Sequence, residues 1–387
     1  MNIAIAGYKS LERICESTNT ALYRAYREDQ TAIAIKTLKT EYPSIEEFTY
    51  LKHEYKILQE LEIKGLIKPF ALEHYQNGLA LLCEDLIGES LKKIIAEQQI
   101  ELSHFLRIAI QLVTTIAELH QNYIIHKDIQ PRNILINAQT GQVNIIDVSL
   151  SSCLLREERF IQHLDLLKGN LAYMSPEQTG RMNRSLDYRT DFYSLGVTFY
   201  EMLTGQLPFQ TNNPLELIHC HIAKAALPPI EINSEIPPVL SDIVMKLLAK
   251  TAEERYQSAL GLKADLENCL KMLQTTGEVS HFAAGQIDLC SQLLIPQKLY
   301  GREREVTTLI AAFERISQGA TEIVLVSGYS GIGKSSLVNE IHKPIVGARG
   351  YFISGKFDQL KRNIPYASLI QAFQELIRQL LTESNEA

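Results

Sequence analysis

The spacing of apolar positions changes along this chain and divides it into three regions. In the first third, Ala32-Ile-Ala-Ile-Lys36 reads as a strand, and Phe48, Leu51, Tyr55, Leu58 and Leu61 then recur at helical spacing. Residues 79–83 are a second short apolar run between Asn77-Gly78 and Glu84-Asp85, the pattern of a buried strand behind a turn. A small sheet-plus-helix lobe follows from these pieces. From about residue 102 the pattern turns helical, with Phe105, Ile108, Leu112, Ile116 and Leu119 on one face. Residues 134–136 and 143–146, separated by Asn137 to Gly141, predict a short hairpin within this larger helical lobe, and further helices are expected over 191–204 and 239–249. Thr275-Thr-Gly277, Ala284-Gly285 and Pro296 interrupt the helical regime, so a domain boundary is expected at 272–299. A new apolar run at 323–326 predicts a strand leading into a glycine-rich turn.

Charged residues sit at the ends of these elements. Lys36 closes the strand, Glu54 lies on the following helix where it can pair with Lys36, and His126-Lys-Asp-Ile-Gln-Pro-Arg-Asn133 follows the long helix. Asp147 ends the second hairpin strand. Phosphoryl transfer needs a cation on the phosphates, acids that hold Mg²⁺ and a carboxylate that orients the attacking hydroxyl. The chain supplies these groups in that order.

In this order and spacing the chain resembles the protein kinase family over about residues 8–270. Ser175-Pro-Glu177 resembles the close of an activation segment, Asp191 matches the central helix of the large lobe, and Arg255 matches the arginine that pairs with that glutamate. The resemblance implies an α+β bilobal protein-kinase fold spanning 1–271, with a small lobe at 1–86 and a large lobe at 87–271, then a linker at 272–298. It also implies that Lys36 holds the α- and β-phosphates of ATP with Glu54 fixing it, that Asn133 and Asp147 ligate Mg²⁺, and that Asp128 accepts the substrate hydroxyl's proton. Glu84 and Leu86 would offer backbone groups to adenine, Cys83 would be the gatekeeper, and His126 would be structural. The implied activity is serine/threonine protein kinase.

Several positions depart from the family pattern. The stretch aligned with the phosphate-covering loop, Cys15-Glu-Ser-Thr-Asn-Thr20, has no glycine, and the hydroxyls of Ser17, Thr18 and Thr20 are the expected substitutes. Gln130 stands where such kinases usually carry a lysine, and Asn170 where they carry a threonine. Val148-Ser149 replaces Phe-Gly after the metal-binding aspartate, which should stiffen that turn. Lys127 replaces an arginine, and residues 153–172 contain no serine, threonine or tyrosine. Activation without a phosphate at the usual loop position is therefore expected, with Glu157 or Glu158 supplying standing charge. These departures also leave open an ATP-binding sensor or scaffold that transfers phosphate poorly.

Gly328-Tyr-Ser-Gly331-Ile-Gly333-Lys334-Ser335 fits GxxxxGK[ST] between the expected strand and a helix-like stretch. Its backbone amides would cradle phosphates, Lys334 would reach the β- and γ-phosphates, and Ser335 would bind Mg²⁺. Upstream, Leu299-Tyr-Gly-Arg-Glu303 resembles the entry of AAA-like signalling ATPases, so residues 299–387 read as the start of an α/β P-loop NTPase domain. No later apolar strand ends in an acid. The combination resembles the N-terminal part of hybrid sensors in which these modules precede sensor and histidine-kinase domains, making such a module an expected partner beside the protein substrate.

Composition narrows the remaining classes. A net charge of −7 argues against general nucleic-acid or anionic-membrane binding, and 45% hydrophobic with 21% charged residues describes a folded chain. The six cysteines form no CxxC pair, so reduced thiols are expected rather than zinc or disulfides. Residues 1–7 are too short for a signal peptide, and no uninterrupted apolar run reaches a bilayer's width; a cytoplasmic location without membrane insertion is the expectation.

Overall fold

The computed structural model describes residues 8–17, 19–75, 77–153, 156–157, 171–180, 185–288, 301–329, 331–341, 344–345, 350–357 and 365–381. Five antiparallel strands form the first lobe: β1 (Tyr8–Glu16), β2 (Thr20–Arg27), β3 (Ala32–Leu38), β4 (Pro69–Tyr75) and β5 (Gly78–Glu84), in spatial order β1-β2-β3-β5-β4. β3 and β5 are the apolar runs read in the sequence, and being central they bury both faces. Helix α1 (Ile45–Gln59) packs on β4 and β5. It starts at a capping box in which Ser44 accepts from Glu47 N–H and the Glu47 carboxylate accepts from Ser44 N–H, which fixes the helix phase. That phase buries Leu51, Glu54, Ile57 and Leu58 on one side, so Glu54 enters the interior with the apolar residues.

The second lobe is helical. α2 (Leu91–Glu97) leads to α3 (Leu102–Gln121), whose apolar face is buried against α4 (Arg189–Thr204) and α8 (Ala259–Thr276). Among the described residues α3 is the one helix long and apolar enough to cross a membrane, and most of its apolar window lies inside this core. Strands β6 (Glu89–Ser90), β7 (Ile134–Ile136) and β8 (Val143–Ile145) form a small sheet that carries the loops at the lobe junction. β9 (Arg156–Glu157) pairs with β10 (Leu186–Asp187). Helices α5 (Pro214–Ala223), α6 (Pro229–Ile232) and α7 (Pro238–Leu247) complete the lobe. Gly196 lets α4 approach α7, since a Cβ there would lie 2.7 Å from Leu247 Cβ.

Two expectations meet a different structure. Helix α8 runs past residue 271 to Thr276, and the chain beyond it folds back on the lobe. Asp288 accepts from the N–H groups of Gln257 and Ser258 at 2.6 and 2.8 Å, and Val279, Phe282 and Ala284 pack on the core. Part of the segment read as linker is thus docked. The second difference is the strand expected over 323–326, which is irregular chain with Ile323 95% and Leu325 89% exposed. An apolar run becomes a parallel strand only when neighbours supply its hydrogen bonds, and none of the described residues pairs with it. Around it lie α9 (Glu303–Ser317), α10 (Lys334–Asn339) and α11 (Ala367–Leu381).

Candidate active site

The cleft between the lobes is lined from above by the β1–β2 hairpin and β3, and from below by the catalytic-loop segment and the end of the β8 hairpin. The hairpin turn is tight: Cys15 and Glu16 already pair with Leu22 and Ala21, and Ser17 N–H donates to Thr20 O at 2.8 Å. Ser17 and Thr20 both line the cleft, while Thr18 lies outside the described residues. Cys15 also faces the cleft, and burial pushes its thiol up to about 11, so it is neutral there.

Lys36 is buried where β3 passes behind the cleft. Its Nζ donates to both Glu54 oxygens at 2.8 Å and lies 3.0 Å from Asp147 Oδ2. Burial alone would lower the lysine, but the adjacent Asp147 and Glu54 carboxylates reverse this and hold it charged. Asp147 is likewise opposed by burial, yet Lys36 and the Ser149 N–H keep its carboxyl below the usual range. Glu54 also accepts from Val148 N–H at 3.3 Å, so one buried carboxylate ties α1, β3 and the turn after Asp147 together. The sequence predicted the Lys36–Glu54 pair; the direct contact between Lys36 and Asp147 was not anticipated.

Asp128 is set by the catalytic loop. Its carboxylate accepts from Asn133 Nδ2 at 2.8 Å and Gln130 Nε2 at 2.7 Å. Burial, followed by the charge of Asp147, raises its pKa well above the ordinary aspartate value despite these donors. The loop is anchored from beneath by the fully buried Asp191, which accepts from His126 N–H at 2.9 Å, Lys127 N–H at 2.8 Å and His120 Nε2 at 2.8 Å. This anchor holds Lys127 at a φ of 67°, the left-handed region, immediately before Asp128, whose carboxylate meets the cleft-lining Asn133. His126 is buried and lowered by burial, with Nδ1 accepting from Asp128 N–H at 3.2 Å, which assigns it a positioning role.

Glu177 and Arg255 meet as the sequence suggested, in a buried bidentate pair at 2.6 and 2.8 Å. The next residue, Gln178, donates to Lys127 O at 2.8 Å and so joins this segment to the catalytic loop. Cys83 is fully buried at the end of β5, and Glu84 N–H donates to Lys68 O at 2.9 Å as the chain leaves for the hinge that contains Leu86. A feature missed in the sequence lies there: Arg24 on β2 forms a bidentate pair with Asp85 at 2.9 and 2.5 Å, clamping the hinge to the upper sheet. Nothing in residue spacing links positions 61 apart. Asn170 and Glu158 fall outside the described residues.

The protein kinase domain family matches residues 8–266. The chain belongs to the protein kinase family. A second family, the AAA ATPase domain, matches residues 298–387. Similar proteins include Hybrid signal transduction histidine kinase G of Dictyostelium discoideum, 32% identical over 372 residues, covering 74% of this chain and 11% of that protein. A probable serine/threonine-protein kinase of Clostridium perfringens is 30% identical over 292 residues, covering 75% of this chain and 42% of its own length. The serine/threonine-protein kinase PknB of Mycobacterium tuberculosis is 37% identical over 147 residues, covering 38% of this chain and 23% of that protein. The chain thus spans less than half the length of these relatives. Both matched families imply nucleotide binding.

In the AAA-matched region, Gly331 and Gly333 adopt φ of 82° and 91°, which the turn at this loop requires. Lys334 opens α10 and folds its Nζ back onto the carbonyls of Gly328 and Tyr329, each at 2.8 Å. The loop is therefore closed on its own lysine, and Ser335 is exposed beside it.

Proposed function

We propose that the kinase cleft transfers the γ-phosphoryl group of ATP to a serine or threonine hydroxyl of a protein substrate. The observation that carries this reading is the convergence of Lys36, Glu54 and Asp147 with Asp128 and Asn133 across one cleft. Lys36 would hold the α- and β-phosphates, freed from Asp147 as the nucleotide enters, and the backbone of Glu84 and Leu86 would receive adenine. Asp128 would orient the hydroxyl and take its proton as the new O–P bond forms and the γ–β bridge breaks.

Among the described residues no cluster of three or more His, Cys, Asp or Glu could enclose a metal. The donor set fits Mg²⁺ held jointly with phosphates: Asp147 offers carboxylate oxygen, and Asn133 spends its amide nitrogen on Asp128 and retains its carbonyl oxygen. When bound, Mg²⁺ would neutralise phosphate charge, with Asn133 and Asp147 as its protein ligands. Gly328, Gly331, Gly333, Lys334 and Ser335 would form a second nucleotide site, with Ser335 toward a second Mg²⁺. Signalling beside a sensor or histidine-kinase module, in the cytoplasm, accords with the likeness to a hybrid kinase.

Incubation with Mg²⁺, ATP and a generic protein substrate tests the assignment, comparing the full chain with Asp128→Asn and Lys36→Ala. Transfer above both variants supports it. ATP binding without transfer above them favours the scaffold reading, which one observation supports: Gln130, in place of a cation, spends its amide on Asp128. For the second site, Lys334→Ala should lower total nucleotide stoichiometry, and an unchanged stoichiometry would remove that assignment.

A further inference from the structure

The chain that leaves α8 returns along the large lobe to the start of the same helix. Val279, Phe282 and Ala284 pack on the core. Gly285 N–H donates to the buried Asp265 carboxylate at 2.6 Å, which also accepts from the Tyr256 hydroxyl at 2.6 Å, and Lys246 of α7 donates to Ala284 O at 3.4 Å. Asp288 closes this strap. Its Oδ2 accepts from Gln257 N–H at 2.6 Å, and its Oδ1 accepts from Ser258 N–H at 2.8 Å and from the Ser258 hydroxyl at 2.9 Å. A carboxylate on those amides also meets the positive end of the α8 dipole. Room for it depends on Gly261, where a Cβ would lie 2.5 Å from Asp288 Oδ1.

Gln257, which Asp288 holds, connects several parts of the lobe's base. Its Oε1 accepts from Arg189 Nη1 at 2.8 Å, its Nε2 donates to Arg255 O at 2.7 Å, and its backbone carbonyl accepts from the Tyr188 hydroxyl at 2.7 Å. Arg255 in turn fixes Glu177, and the adjacent Gln178 donates to Lys127 O, one residue before Asp128. The segment 173–178 is thus tied to the catalytic loop on one side and, through Arg255 and Gln257, to the strap on the other. Tyr173 at its start lies within reach of the Asp128 charge, so a polypeptide that brings a hydroxyl to Asp128 passes beside this segment. Lys36 and Asp147, which meet the nucleotide, are held instead by each other and by Glu54.

We propose that residues 279–288 form a strap that holds the substrate-facing segment 173–178 in place, with Asp288 as its latch and a positioning residue for the protein substrate. The inference rests on the phosphotransfer reading of the cleft. Asp288 touches no reacting atom and acts through Gln257, Arg255 and Glu177. Its release loosens the path of the incoming hydroxyl and leaves the nucleotide contacts as they are.

Steady-state kinetics of the full chain with Mg²⁺, ATP and a generic protein substrate test this. Asp288→Ala should raise KM for the protein substrate about 10-fold, the scale of a positioning group lost away from the reacting atoms, and leave KM for ATP within about twofold. Asp288→Asn, which keeps one oxygen acceptor, should fall between Asp288→Ala and the parent. Gly261→Ala displaces the same carboxylate by steric contact and should reproduce the Asp288→Ala profile, although alanine favours the helix. The double variant should be no worse than either single one, because both release the same strap. Losses that multiply, an equal rise in both KM values, or an unchanged KM for the protein substrate would each overturn the proposal. Hydrogen exchange read by mass spectrometry follows the same coupling without turnover: Asp288→Ala should speed exchange in 173–180 as well as in 257–261. Faster exchange at 257–261 alone would show that the strap does not hold the substrate segment, and overturns the proposal too. If the parent transfers no phosphate above Asp128→Asn, the phosphotransfer reading fails by itself, and the exchange result still decides whether Asp288 holds residues 173–178.

Discussion

Replacing Arg255 with methionine should unfold the large lobe more readily than any other single change at its base. Arg255 is 1% exposed, donates twice to Glu177 at 2.6 and 2.8 Å, and caps the carbonyls of Ala249, Arg189 and Lys250 at 2.8, 3.0 and 3.3 Å. The guanidinium holds the Glu177 carboxyl below its ordinary range against the opposing effect of burial. Truncation leaves that carboxylate buried with only Thr190 Oγ1 donating from a side chain, at 2.8 Å. Breaking a buried pair on one side costs about 3–5 kcal/mol. For a domain of this size each kcal/mol moves Tm by roughly 2–4 °C, so a fall of about 6–20 °C is expected. The chain has no tryptophan, so near-ultraviolet circular dichroism of its 17 tyrosines, followed through urea unfolding, is the natural probe. Glu177→Gln with Arg255→Met should be less destabilised than the sum of the single variants by about 2 kcal/mol, because no charge is then stranded. A strictly additive cycle, or Arg255→Met within about 1 kcal/mol of the parent, would refute the reasoning. Loss of the pair also loosens Gln178, which holds Lys127 O, so transfer activity should fall before the lobe melts.

Glu54→Gln removes a charged acceptor from Lys36 but keeps a hydrogen-bonding shape; a loss of about 1.5–3 kcal/mol predicts a 10- to 150-fold drop in kcat/KM for ATP, and a change under twofold would contradict the role given to the pair. Because the Asp128 carboxyl is raised well above its ordinary value and must be ionised to accept a proton, activity should be lost as pH falls through that raised pKa. A pH profile of kcat/KM that stays flat down to about pH 4.5 would count against it. Gly196→Ala should destabilise by about 1–3 kcal/mol despite its better helix propensity, since the added Cβ would sit 2.7 Å from Leu247 Cβ. An unchanged urea midpoint would show that α4 and α7 can separate without cost.

The sequence by itself determined several of the elements that frame the kinase cleft and nominated the residues of its chemistry. Strand β3 carrying Lys36, helix α1 carrying Glu54 and the hairpin that leads into Asp147 follow from local period and turn residues, because alternation and helical spacing act over a few positions. Their order along the chain was enough to nominate Asp128 and Asn133 as well. What only the tertiary structure decided are the contacts between distant segments: Arg24 on Asp85, Lys36 on Asp147, and Asp288 on the start of α8. No local pattern encodes those distances. The apolar run at 323–326 teaches the same lesson from the other side. Its composition asks for burial, but a strand is a relation between chains of backbone, and without a hydrogen-bonding neighbour among the described residues it stays irregular and exposed.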